Sequence, residues 1–191
     1  MSGAARFASD LLAVLPDALH RSRKDYIGEV QLAERLAEDL AGWSSATGGI
    51  AYPNGERPDL RCEADDGTVV TLEIKYFVLD WPTRRSRWDG HLARQHLGIL
   101  PGKPNNGVHD VTEKLPRVDF GTHVGFLLVT FSCPRGSALT DIATFESTAG
   151  VDRSPWTSYA RDWSHPTDSA HHVDARLWLA QASALGTSQR F

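Results

Sequence analysis

The sequence predicts a single α/β domain in which a mixed central sheet is flanked by helices. Three stretches carry the prediction: an amphipathic repeat at 25–43, a charged hairpin at 58–77 and a long apolar run at 123–133. Apolar residues recur every three or four positions in the first, alternate in the second and are continuous in the third. Those are the patterns of a surface helix, a strand with two unlike faces and a strand covered on both sides. With 191 residues, 41% hydrophobic and 23% charged, the chain has the material for one ordinary core. A formal net charge of -4 argues against a generally basic nucleic-acid binder, although a local basic surface can coexist with an acidic remainder.

Taken in order, FASDLLAVLPDALH (7–20) predicts a helix broken or kinked near Pro16. In DYIGEVQLAERLAEDLAGW (25–43), Leu32, Ala33, Leu36, Leu40 and Trp43 form the apolar stripe, and Glu34, Arg35, Glu38 and Asp39 lie largely opposite. GGIAY (48–52) predicts a short first strand, closed by the turn-forming PNGE. After the hairpin, residues 80–106 form an irregular arm rich in Arg, Trp, Gly and Pro. A helix then runs from 107 to Pro116 and feeds the buried strand HVGFLLVTFSC. Residues 147–171 are polar and turn-rich, and HVDARLWLAQASAL (172–185) predicts a C-terminal helix. Cys62 and Cys133, both in apolar segments, are expected as buried thiols rather than a disulfide framework. No basic-then-apolar leader and no bilayer-length apolar run is legible, which predicts a cytoplasmic protein without a membrane partner.

The hairpin PDLRCEADDGTVVTLEIKYF (58–77) poses the functional question. Val69, Thr71, Glu73, Lys75 and Phe77 share one face of its second strand, and Leu72, Ile74 and Tyr76 share the other. Ala64-Asp65-Asp66-Gly67-Thr68 suits a three-residue loop with Gly67 left-handed, which pairs Ala64 with Thr68 and, counting outward, Asp59 with Glu73. A two-residue Asp-Gly loop would instead put the two carboxylates on different faces. Opposed carboxylates with Cβ atoms about 5 Å apart repel unless a cation lies between them. Mg²⁺, with Mn²⁺ as a substitute, takes such oxygen ligands together with waters and phosphate. Lys75, on the same face, could hold or deprotonate an attacking water and neutralise charge on a phosphate, so the set suits metal-assisted phosphodiester hydrolysis. The competing reading is an amphipathic hairpin with one solvated face.

Pro58-Asp59 followed by Glu73-Ile74-Lys75 at the end of a hairpin resembles the motif of the PD-(D/E)XK nuclease superfamily, also called restriction-endonuclease-like. The resemblance implies an αβββαβ core over about 25–132, with 133–191 as a C-terminal extension of one domain spanning 1–191. It implies catalytic roles for Asp59, Glu73 and Lys75, with Asp59 and Glu73 as metal ligands. A further ligand often comes from the first helix. Glu29 matches that position, although an acid in a first helical turn is also favoured by the helix dipole alone. The implied function is a Mg²⁺-dependent nuclease, acting on DNA, in restriction, phage defence, repair or mobile elements. A homodimer or a partner specificity subunit would then supply sequence recognition. The rival is a catalytically inactive relative that serves as a nucleic-acid-binding or structural subunit.

Other clusters are less pointed. Arg84, Arg85, Arg87 and Arg94, interleaved with Trp81 and Trp88, could grip phosphates and stack on bases, or form a solvated loop or an oligomer contact. Arg21, Arg23 and Lys24 make a second basic group. His165, His171 and His172 match no zinc spacing, and Cys133 has no defined histidine partner that would make it a nucleophile. No nucleophile elbow, phosphate-binding glycine loop or dinucleotide fingerprint is present.

Overall fold

The structure, a computed structural model, describes residues 2–20, 29–47, 57–77, 90–100, 106–118, 121–132, 138–166 and 168–185. The predicted strand at 48–52, the basic group at 21–24, Trp81, Arg84, Arg85, Arg87, Trp88 and Cys133 lie outside the described residues.

Helix α1 (Gly3–His20) runs through Pro16 instead of breaking there. Proline has no N–H to give the Leu12 carbonyl four residues back. The Arg161 guanidinium supplies that donor from the far end of the chain, and it also donates to the Ala13 carbonyl at 3.2 Å. Helix α2 (Glu29–Asp39) lies alongside and buries Leu32, Ala33 and Leu36. Arg35 of its polar side donates to the Ala18 carbonyl at 2.9 Å, satisfying one of the orphan acceptors in the last turn of α1.

Strands β1 (Ser44–Thr47), β2 (Leu60–Glu63) and β3 (Val69–Phe77) form an antiparallel meander. The hairpin takes the register that the three-residue loop predicts. Leu60 faces Leu72 and Cys62 faces Val70, the Ala64 N–H donates to the Thr68 carbonyl at 2.9 Å, and Gly67 has φ +81°. Helix α3 (Gly90–Leu97) lies within the stretch expected to be irregular. Helix α4 (Gly107–His109) widens into a π-helical turn (Asp110–Lys114) and then tightens into a 3₁₀ turn (Leu115–Arg117) that accommodates Pro116. Strand β4 (His123–Ser132) follows, parallel to β3.

The remaining elements are α5 (Leu139–Ala149), β5 (Thr157–His165), β6 (Asp168–Gln181) and the single turn α6 (Ala182–Leu185). Two expectations are corrected here. The predicted C-terminal helix is chiefly a strand, and the polar segment before it holds another. The sheet order is β1-β2-β3-β4-β6-β5, so β6 lies inside the sheet and is covered on both faces. Val173, Ala175, Leu177 and Leu179 enter one core, while Trp178 and Ala180 enter the other. Apolar residues at consecutive positions then imitate a helical pattern. Strand β5 is an edge whose residues are mostly exposed, so it reads as a loop. Strands β5 and β6, both beyond residue 133, thus belong to the same sheet.

Helices α1 and α2 cover the face carrying Leu60, Cys62, Leu72, Ile74, Leu127 and Leu177. The opposite face, with Phe126, Leu128 and Trp178, lies under α3, the helical segment at 107–117 and α5. Gly125 of β4 is what lets the first face close. A Cβ there would stand 2.5 Å from Leu179 Cδ2 and 2.8 Å from Leu72 Cδ1. Among the described residues, no helix is long and apolar enough to cross a membrane.

Candidate functional site

The charged face of β3 is not solvated. Thr71 is fully buried and Glu73 is 3% exposed, beneath the second helical layer. The hairpin register, carried one step beyond β2, sets Asp59 opposite Glu73. Asp59 reaches across to β3, where its Oδ2 accepts the Ile74 N–H at 2.7 Å. Burial raises its carboxyl above the ordinary 3.8. The Ile74 hydrogen bond and the charges of Lys75 and Lys114 pull the other way, and the neighbouring Asp110 adds to the rise. On another side Asp59 lines a cleft of about 270 Å³ with Val30, Ala33, Thr47, Arg57 and Pro58.

Lys75 is where the two layers meet. From α2, Glu29 approaches its Nζ with Oε2 at 3.8 Å and accepts the Tyr76 N–H with Oε1 at 3.3 Å. From the π-helical turn on the opposite face, Asp110 approaches with Oδ2 at 3.2 Å. Burial alone would lower the pKa of this ammonium. The surrounding carboxylates of Asp110, Glu29, Asp59 and Glu73, in that order of effect, reverse the shift and raise it above 10.5. Lys75 is therefore a firmly charged cation with 16% of its side chain exposed.

The structure thus brings together Asp59, Glu73, Lys75 and Glu29, all named from the sequence, and adds Asp110 and Lys114. The Lys114 ammonium lies 2.8 Å from Asp110 Oδ1. An acid and a lysine four apart on a helix commonly make only a surface pair. Nothing in the local pattern marks Asp110 as 2% exposed, because its cover comes from the tertiary fold.

Arg94 pairs with an acid of α5. Its Nε donates to Asp141 Oδ1 at 2.6 Å, joining α3 to the first turn of α5, with half of the arginine side chain exposed. Cys62 points into the first core, where its sulfur accepts the Ser45 hydroxyl at 3.3 Å and burial pushes its pKa up to about 11. This is an inert structural thiol. His172 sits in β6 opposite Ser132 of β4, while the side chains of His165 and His171 lie outside the described set. Among the described residues, no three His, Cys, Asp or Glu side chains form a ready-made metal cage. Comparison with family models, curated proteins and solved structures found no match.

Proposed function

We propose that this chain is a metal-dependent nuclease of the PD-(D/E)XK, restriction-endonuclease-like type, with DNA as its favoured substrate. The observation that carries the reading is the reach of Glu29. A residue from a helix far away in sequence meets β3 at Lys75 and at the neighbouring Tyr76 N–H, beside the opposed Asp59 and Glu73. The order of elements gives further support: α2, the β1-β2-β3 meander, a helical segment, then β4 parallel to β3.

The residues present fit a hard divalent cation. Asp59, Glu73, Glu29 and Asp110 all offer carboxylate oxygens, and the cluster sets these four carboxylates against the two ammonium groups of Lys75 and Lys114. Mg²⁺ commonly binds through one or two carboxylates and completes its shell with water and phosphate, so it needs no closed protein cage. Asp59 and Glu73 would hold the ion, with Glu29 as a third donor from α2. When bound, it would supply Lewis acidity at the scissile phosphate. The Ile74 N–H fixes the Asp59 carboxylate, and burial of Glu73 keeps bulk water from screening it. Lys75, protonated through the physiological range, stabilises negative charge growing on the phosphate and orients the attacking water. Arg84, Arg85, Arg87 and Arg94 would supply further phosphate contacts.

The test is cleavage of supercoiled and single-stranded DNA by the purified chain in Mg²⁺, Mn²⁺ or EDTA. Wild type should cut only with metal, and Glu73→Ala and Lys75→Ala should each abolish cutting. Mn²⁺ binding without cutting would favour a binding subunit that awaits a partner. Absence of both would refute the assignment.

A further inference from the structure

The opposed carboxylates of the hairpin have a cation on each side. Alternation puts Arg61 on the same face as Asp59, and pairing sets it directly opposite Thr71 of β3 and Ala46 of β1. Arg61 and Thr71 therefore form the next pair on that face, two residues or about 6.8 Å along the strands from Asp59 and Glu73. Lys75 lies two residues beyond Glu73 in the other direction.

Three observations single out Arg61. Its guanidinium is poorly satisfied: among the described residues, Nη2 donates to Glu63 Oε2 at 2.9 Å, while Nε is buried without a hydrogen-bond partner. Directly opposite, Thr71 Oγ1 is also buried without one. Such orphaned groups are rare in native proteins and call for an explanation. The acceptor it does have is weakly held, because the Glu63 side chain is 48% exposed and an exposed pair is worth little. The sheet is also open beside it. Ser44 and Ala46 of β1 share this face through their pairing with Glu63 and Arg61, and both are exposed.

We infer that Arg61 is a substrate-binding residue that grips the phosphate next to the one cut. The sugar joining two successive phosphates spans a distance similar to the step from the Asp59–Glu73 pair to Arg61. A phosphate arriving over the open corner of β1 and β2 would take the guanidinium from Glu63. Turning outward would bring Nε out of burial and give it an oxygen, in the two-pronged geometry that arginine forms with phosphate. This inference rests on the phosphodiester-cutting site proposed above, yet it fails separately from it.

The experiment is binding of a short single-stranded DNA oligonucleotide to the full chain, followed by fluorescence anisotropy across a range of salt, in EDTA so that nothing is cut. Wild type, Arg61→Met, Glu63→Gln and the double variant are compared. Arg117→Met is the control, since Arg117 also pairs with an exposed acid, Glu113. Arg61→Met should weaken binding about 10-fold at low salt, the usual loss for one hydrogen bond to a charged group. It should also reduce the slope of log affinity against log salt by about 0.7, the share of one phosphate contact on a single strand. Glu63→Gln should tighten binding several-fold, and that gain should vanish in the Arg61→Met background. Mn²⁺ binding, read by calorimetric titration without DNA, should survive in every variant. A loss in Arg61→Met no larger than in Arg117→Met, or a Glu63→Gln gain that persists without Arg61, overturns the inference while leaving the metal site standing. A folded wild type that binds Mn²⁺ but no DNA overturns it too, and one that binds neither overturns the site as well. Should Arg61→Met fail to fold by circular dichroism, Arg61→Lys reports instead. It keeps the charge and loses the fork, so it should bind more weakly than wild type, and an equal affinity refutes the assignment.

Discussion

Replacing Arg161 by Met should destabilise the fold through a helix to which Arg161 does not belong. Pro16 leaves the Leu12 carbonyl without its helical N–H partner, and the Arg161 guanidinium takes that place while also donating to Ala13. Met keeps the aliphatic stem and removes the donor. A largely buried carbonyl left unsatisfied costs about 1–3 kcal/mol, and partial exposure of this site favours a loss of about 1.5 kcal/mol. For a chain of this size each kcal/mol lowers Tm by about 2–4 °C, so the expected fall is roughly 3–6 °C. The assay is thermal and urea unfolding followed by circular dichroism, run as a double-mutant cycle with Pro16→Ala. That second substitution restores a backbone N–H aimed at Leu12, so the cost of Arg161→Met should drop below about 0.5 kcal/mol in its background. Equal losses with proline and with alanine would refute the argument, because Arg161 would then act through something other than the orphaned carbonyl.

Three further outcomes follow from the geometry. Asp59→Asn keeps the acceptor for the Ile74 N–H and removes the charge. A carboxyl whose folded pKa is raised contributes stability that is full below 3.8 and lost as pH rises through the folded value, so this variant should lack that decline. In metal-free urea titrations at pH 7 it should be at least as stable as wild type, and a less stable variant would contradict the burial argument. Arg94→Met breaks the 2.6 Å contact with the largely buried Asp141 and should cost about 1 kcal/mol, discounted for the exposed half of the arginine; urea unfolding with an unchanged m-value checks it. In a Cys133→Ser background, Cys62, with a pKa pushed up to about 11, should label with a disulfide reagent at pH 8 only as fast as the protein opens; fast labelling in native buffer would place the thiol outside the core.

The parts of this molecule legible in the sequence are those decided by local chemistry. Asp65-Asp66-Gly67 fixes the loop, the loop fixes the register, and the register opposes Asp59 to Glu73. The continuous apolar run at 123–132 announces a strand covered on both faces. Elements whose character depends on distant neighbours were illegible. Leu177-Trp178-Leu179-Ala180 favours a helix by propensity and periodicity, and only pairing with β4 and β5 makes it a strand. Pro16 signals a break that Arg161, from β5, repairs. The charged face of β3 was readable as charged but not as buried, since its cover comes from the second helical layer. For the same reason no local pattern marks Asp110: its partner Lys75 lies on a strand across the fold.

The position of Lys75 between two helical layers also bears on the order in which the chain folds. Strands β2 and β3 are joined by a tight turn and can pair early, since their contacts are close in sequence. At that stage Asp59 and Glu73 already face each other, whereas Glu29 and Asp110 still have to arrive from opposite sides of the sheet. The early hairpin is thus electrostatically frustrated, and docking adds Glu29, Asp110 and Lys114, which gives Lys75 its ion pairs while leaving the finished cluster more acidic still. Lys75 then links completion of the fold to formation of the site, so a partly folded chain would carry the motif without carrying the machinery.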